Sequence, residues 1–565
     1  MHVFDGTLRD VTGSKMTLIN TLKSKLLNAT TEYNNSKKKY SHWFWIIGSA
    51  FAFAVIFTSG YISHHLTANF WHGKSQPQLA AAASGSHGIN NKSYDKGSCN
   101  VIDDGADVFR QNKSDEHSCE AGQSDSMSCL IQPIANSCTI SQGQLCHADL
   151  EIAKTAWKYF ENNYNEETGL VNAVDNYPST TMWDTGSALA ATITAHDLGL
   201  IDSRSFDQRI MAMFKTLTTM QLFNGEAPNK VYNTKTIQMV DYGNQPTDAG
   251  IGVSILDLAR LVSWLNTLQC MHPQYHNAVN TSLSRWDYSR LIKDGSMFGM
   301  ARGEGEGDGK GDEIRVLQEG RLGYEQYAAK ILEHVGFDLS VASDYENEFR
   351  TNTDILGVSI AHDMRDPRQL GANNYVVTES YAMDAMELGL DDVNRELLKN
   401  IFEVQKRRWQ ETGIVTAISE DNIDQEPWFL YNSIFNAGLP WQTTNSSNTS
   451  FDHLKSVSVK AAISMAMLFP NDEYSHVLTN AIQHAYDPEK GWYSGIYESG
   501  AGYNKAFTAN TNGVVLAGML HKKYGPLIPH CSQCSRPIKI DSPLLDKDDQ
   551  EHCKACTVLQ ADSSH

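Results

Sequence analysis

The chain has 565 residues, 41% of them hydrophobic and 20% charged, with 66 acids against 46 bases and a formal charge of −20. That is too apolar for a disordered chain and too acidic for a nucleic-acid binder, which carries a basic footprint. It leaves room for one large domain with a well-buried core, plus appendages.

Residues 1–42 form a lead that ends close to Lys37, Lys38 and Lys39. Residues 43–61, WFWIIGSAFAFAVIFTSGY, carry no charge. At about 1.5 Å per residue such a helix just crosses a hydrocarbon core of about 30 Å. Trp43, Trp45 and Tyr61 suit the two interfaces, and the lysines place the lead in the cytoplasm. The expectation is a single-pass anchor in the inner or cell membrane, with the main domain periplasmic or extracellular. A cleaved signal peptide is the competing reading, disfavoured by the long lead. Residues 62–147 read as a tether rich in Ser, Gly, Asn and Asp. It holds Cys99, Cys119, Cys129, Cys138 and Cys146, which with Cys270 allow three disulfides in an oxidising compartment. Their pairing stays open.

From 148 to 527 the hydrophobic period becomes helical and repeats. Amphipathic segments such as 151–163 and 391–409 alternate with segments that are small and apolar nearly all round. The latter begin near Thr181, Pro246, Glu319, Tyr375, Ser456 and Thr508. With outer partners at about 149–163, 205–222, 255–290, 340–352, 391–409 and 474–486, they predict an all-α (α/α)6 toroid. In that fold an inner ring of enclosed helices alternates with an outer ring. A helix-repeat solenoid is the rival architecture. Segments entering the inner helices are long and rich in Gly, Asn, Asp and aromatics, whereas those leaving them are short. Chemistry is therefore expected on the face that holds the inner-helix N-termini. The run ARGEGEGDGKGDE at 301–313 reads as a loop over that face; a calcium loop is the alternative, but the ligand spacing is not that of an EF-hand.

Asp184, Asp248, Glu325 and Glu379 are placed to open four inner helices, and Asp175, Asp241, Glu319, Glu426 and Glu498 hang in the entering loops. Helix capping and the macrodipole account for any one of these acids. Convergence of several on one funnel, among aromatics, accounts for the set as sugar chemistry. Pyranose faces stack on Trp or Tyr, hydroxyls bond carboxylates and amides, and glycosidic hydrolysis takes one protonated and one ionised carboxyl. Glu325 is the expected general acid, because apolar neighbours would raise its pKa, with Asp184 or Asp248 as base and Glu379 and Glu498 in reserve. Trp183, Tyr324, Trp428, Trp492 and Tyr493 are the expected platforms, with Asn172 and Asn510 as hydroxyl partners, although tryptophans also serve as core. No HEXXH, GXSXG, Walker or dinucleotide pattern is present, and the toroid is expected to need no cofactor.

The segment AWKYFENNYNEETGLVNAVDNYPSTTMWDTGSALAATITAHDLGLI resembles the opening of the DUF3131 family, and WDYSR, GYEQYAAK, EPWFLYN and GWYSGIYE fit the same resemblance. It covers about 148–527 and implies an envelope-located toroid similar to glucoamylase-like and β-1,2-glucanase-type glycoside hydrolases. It supplies no catalytic residues. The expected function is thus a membrane-anchored glycoside hydrolase acting on an envelope or extracellular polysaccharide or oligosaccharide. The alternatives are a non-catalytic glycan-binding component of polysaccharide-synthesis machinery, or a polysaccharide lyase using Arg321 and Tyr324. In the last stretch, 528–565, Cys531, Cys534, Cys553 and Cys556 have the spacing of a zinc ribbon holding a structural zinc ion. Outside a membrane the same four would equally form two disulfides.

Overall fold

The computed structural model describes residues 145–302, 313–365 and 373–528, all in the unit Asp95–His565. The expected anchor at 43–61, the tether up to Cys138, most of the acidic glycine loop and the four cysteines from Cys531 to Cys556 lie outside the described residues. Among the described residues no helix is long and apolar enough to cross a membrane.

The helices are α1 (His147–Asn162), α2 (Met182–Asp197), α3 (Ser203–Thr219), α4 (Ile255–Met271), α5 (His276–Leu283) and α6 (Tyr324–His334). They continue with α7 (Thr378–Met383, extended by the π turn Asp384–Leu388), α8 (Asp392–Thr412), α9 (Val459–Leu468), α10 (Glu473–Ile482) and α11 (Ala509–Tyr524). Helices α2, α4, α6, α7, α9 and α11 each pack on the next, and α11 closes back on α2. Helices α1, α3, α5, α8 and α10 pack outside this ring. The result is the double ring of an (α/α)6 toroid, with five helices in its outer ring among the described residues.

Composition explains which helix goes where. In α2 every residue from Thr185 to Ala195 is buried, and Gly186 lets the chain approach Arg260 and Leu261 of α4. A Cβ on Gly513 of α11 would stand 2.9 Å from the Ser187 side chain, so α2 and α11 also meet closely. Helices enclosed on all sides need small residues all round, whereas α1, α3 and α8 bury a single stripe. Between the rings lies the apolar core, with Trp264 and Trp492 among its largest fully buried side chains.

Two expectations about helix placement are corrected. Among the described residues no outer helix occupies 340–352; an antiparallel hairpin, Arg350–Ile355 with Val358–Asp363, packs on α8 instead. Leu356 and Gly357 at its tip both have positive φ, the two-residue turn that matches strand twist. The second inner helix starts at Ile255, nine residues after Pro246. Gly250 and Gly252 have φ of +72° and +144°, and Gly252–Val253 pairs with Met300–Ala301 as a strand. A Cβ at position 252 would lie 2.0 Å from the Met300 carbonyl oxygen. Gly252→Ala is therefore expected to destabilise the protein by at least about 2 kcal/mol, read as a lowered melting temperature.

Every strand among the described residues lies in a segment that leads into an inner helix. Ser179–Thr181 pairs with Val231–Asn233 ahead of α2 and α4. Glu420–Asn422, Phe429–Asn436 and Leu439–Thr444 form a three-stranded sheet ahead of α9. These small sheets brace the face that holds the inner-helix N-termini.

Candidate active site

The site is built from helix starts. Thr181 caps α2: its Oγ1 accepts the Asp184 N–H at 3.1 Å, and its hydroxyl donates to Asp184 Oδ2 at 2.8 Å. Ser254 does the same for α4, with Asp257 in the place of Asp184 and a hydroxyl donated to Asp257 Oδ1 at 3.1 Å. Glu319, from the segment ahead of α6, accepts the Ile255 N–H at 2.7 Å and so reaches the same end of α4.

Across the ring, α7 supplies Glu379 and α9 supplies Lys460, whose Nζ stands 2.5 Å from Glu379 and 3.6 Å from Asp421. Glu379 also accepts Asn510 Nδ2 at 2.8 Å and the Ser419 hydroxyl at 3.2 Å. Trp183 donates its indole N–H to Asn510 Oδ1 at 3.1 Å and meets Tyr324 edge-on at 5.7 Å. Tyr324 in turn donates its hydroxyl to Glu420 Oε1 at 2.8 Å. One chain of contacts thus runs Glu420–Tyr324–Trp183–Asn510–Glu379–Lys460, through residues from five of the six inner-helix approaches.

Burial separates the acids into two groups. Glu379 and Asp421 are 3% and 2% exposed, whereas Asp184, Asp257, Glu319 and Glu420 are half-buried and open toward solvent. Burial, reinforced by the neighbouring Glu379 charge, pushes Glu420 up to about 7 against the pull of Lys460 and Tyr324. Burial and Glu319 push Asp257 up to about 7. Asp421 also reaches about 7 through burial, with Lys460 opposing. Burial raises Asp184 as well, but the Thr181 hydroxyl and N–H and then Lys460 oppose it. The Asp184 charge acts on Asp257 and the Glu379 charge on Asp184, so these groups share one electrostatic site. Carboxyls poised near neutrality beside further acids and the rings of Trp183 and Tyr324 are what acid–base chemistry requires.

The residues expected from sequence fall into three sets. Asp184, Glu379, Trp183, Tyr324 and Asn510 meet at this site. The other expected acids lie elsewhere. Burial raises the Glu325 pKa as expected, but Glu325 is clamped by Arg365, which also holds Asp363, and it accepts Gln318 Nε2 at 2.7 Å; its charged neighbours are Arg365, Asp363 and Arg321, not the funnel acids. Asp248 is exposed on the loop before α4 and opens no helix. Glu498 forms a two-pronged pair with Arg408 of outer helix α8, both contacts at 2.7 Å. Trp492 is core, 2% exposed, with its indole N–H on the Ile152 carbonyl at 3.2 Å. Tyr493 stacks on Tyr503 and packs against the outer core, and Asn172 is bonded to Asn163 and Thr234. Trp428 is 59% exposed at a hairpin tip.

The Glu325 assembly makes a prediction of its own. Arg365→Met leaves two carboxylates, Glu325 at 3% and Asp363 at 7% exposure, without their shared cation. It is expected to cost about 3–5 kcal/mol of stability, measured by denaturant unfolding. No group of three or more His, Cys, Asp or Glu suited to a metal ion occurs among the described residues.

A family model described as a protein of unknown function, DUF3131, matches residues 151–525. A glucoamylase-like protein from Bacteroides fragilis NCTC 9343 superposes with a TM-score of 0.51 at 12% identity, covering 71% of this chain and 98% of that one. An endo-β-1,2-glucanase from Chitinophaga pinensis, solved with sophorotriose and glucose, gives 0.49 at 12% identity, with 70% and 98% covered. An endo-β-1,2-glucanase from Talaromyces funiculosus, solved with sophorose, gives 0.47 at 12% identity, with 68% and 85% covered. The first of these shares the fold; at such identities no residue role carries across. No curated protein matches the chain.

Proposed function

We propose that this chain, which belongs to the DUF3131 family, hydrolyses glycosidic bonds of an oligosaccharide or polysaccharide in the funnel of its toroid. The observation that carries the reading is the meeting of half-buried Asp184, Asp257, Glu319 and Glu420 with Trp183 and Tyr324 at the inner-helix N-termini. Glu420, pushed to about 7, is the proton donor: its proton passes to the glycosidic oxygen as the bond from that oxygen to the anomeric carbon breaks. Asp184 is its partner at the anomeric carbon: in that same displacement it either takes the proton of the water that attacks this carbon, or attacks the carbon itself to form a glycosyl ester that water then hydrolyses. Burial raises the Asp184 pKa, while Thr181 and the positive end of the α2 dipole oppose that shift and favour its charged form. Trp183, whose indole N–H is fixed by Asn510, offers the stacking face. The buried Glu379–Lys460 pair positions Asn510 and sets the charge beneath Glu420. In the same proposal the span at 43–61 anchors the toroid on the outer side of a membrane, and the four C-terminal cysteines staple the chain end through zinc or two disulfides.

The test is to incubate the full chain with neutral and amino-sugar glycans and measure reducing ends. New reducing ends support hydrolysis. Binding without them supports a scaffold of polysaccharide assembly, and an unsaturated product absorbing in the ultraviolet supports a lyase.

A further inference from the structure

On the reading that the funnel cleaves a glycan, we infer that the hairpin bearing Glu420 also holds the neighbouring sugars of a long chain. Tyr375, Tyr431 and Phe429 form an aromatic lane leading away from the acid, and the substrate class is a linear polymer, not a short oligosaccharide.

Strand register carries the argument. Glu420 pairs with Tyr431, Asp421 with Leu430 and Asn422 with Phe429. Residues opposite each other in an antiparallel pair share a face, as do residues two apart along a strand. Glu420, Asn422, Phe429 and Tyr431 therefore stand on one face. Asp421 and Leu430 occupy the other, at 2% and 0% exposure, and Leu430 packs there against Ile423, Leu454 and Tyr497. The inward face of this ladder is sealed and the face with Glu420 is open.

Rings line the open face. Tyr375 lies flat on Tyr431, with centroids 3.9 Å apart and planes 9° apart. Phe429 meets Tyr431 edge-on at 5.2 Å and 77° and remains 37% exposed. It lies two residues beyond Tyr431, about 7 Å along the strand, or roughly one more sugar from the acid. Tyr242 is 69% exposed and close enough for its charge to act on Tyr431 and for those of Asp257 and Glu319 to act on it. The stacked Tyr375–Tyr431 pair, partly buried, backs a lane whose exposed rings are Phe429 and Tyr242, and such rings continuous with a carboxylate site fit the apolar faces of successive pyranose units.

The test uses the full chain carrying Glu420→Gln, so that sugars are bound without turnover. Linear ladders of α-1,4-glucan, β-1,2-glucan and β-1,4-glucosaminan, from disaccharide to dodecamer, are titrated by calorimetry. Affinity for one ladder is expected to rise with chain length, and Phe429→Ala in this background is expected to reduce that rise by up to about tenfold. Met211→Ala, which removes a 55% exposed apolar side chain on outer helix α3, is expected to leave it intact. A rise that survives Phe429→Ala, an affinity independent of length, or no binding of any ladder overturns the lane. Its fate is distinct from that of the hydrolase reading: chains gripped along their length yet uncut by the unmodified protein keep the lane and end the hydrolase, whereas chains cut with length-independent affinity do the reverse.

Discussion

Glu420→Gln is expected to lower glycan hydrolysis about a thousandfold while the affinity for glycan stays within a few-fold. A positioned proton donor contributes roughly 10²–10⁴ in rate, and the amide keeps the shape and the Tyr324 contact but has no acidic proton to give. The pH profile follows with a definite sign. A donor must be protonated, so the unmodified protein should lose activity as pH rises through about 7, where burial and Glu379 hold the Glu420 carboxyl. Turnover and affinity measured separately on both proteins check this. Equal losses in both would make Glu420 a binding residue only.

Lys460→Met has the second large effect, and it acts on folding and on the acid together. The ammonium is 3% exposed, 2.5 Å from Glu379 and 3.6 Å from Asp421. Without it two buried carboxylates lose their cation, at a cost of about 3–5 kcal/mol. Because Lys460 pulls the Glu420 pKa down, its removal pushes that pKa up, and the alkaline fall in activity should move to higher pH. Calorimetric melting and the pH profile of the folded fraction read the two effects separately.

The same acids tie stability to pH. Asp257, Glu420 and Asp421 reach about 7 in the folded protein, above the usual carboxylate range of about 4. Between those limits the folded state binds more protons than the unfolded one. Their contribution is fully present below about pH 4 and is lost as pH rises through about 7, so the melting temperature should fall by several degrees from pH 5 to pH 8.

Much of the architecture is legible in the chain because it depends on local composition. Helices ringed by neighbours must be small and apolar all round, as GSALAATITA in α2 shows, and their order along the sequence is their order around the ring. Asp184 was legible for the same reason: Thr181-Met-Trp-Asp184 is a cap followed by its own acid. Ser254-Ile-Leu-Asp257 carries the same pattern, but Pro246 and Asp248 offered an earlier start, and only the strand pairing of Gly252 with Ala301 rules it out. Glu420 had no local signal. It stands on a short strand, and its partners Tyr324 and Tyr431 are brought to it by the fold. Glu325 was legible in part: apolar neighbours implied a desolvated acid and burial does raise its pKa, but Arg365, forty residues on, supplies a counter-charge that periodicity cannot reveal.

Infrared titration of the carboxyl C=O stretch tests the physical basis most directly, since it needs no substrate. The unmodified protein should keep protonated carboxyls at pH 6 that vanish through about pH 7, and Glu420→Gln should remove one of them. If every carboxyl is already ionised by pH 5.5, or if the Glu420→Gln spectrum matches that of the unmodified protein, the funnel holds no neutral acid at Glu420 and the proton donor assigned here does not exist.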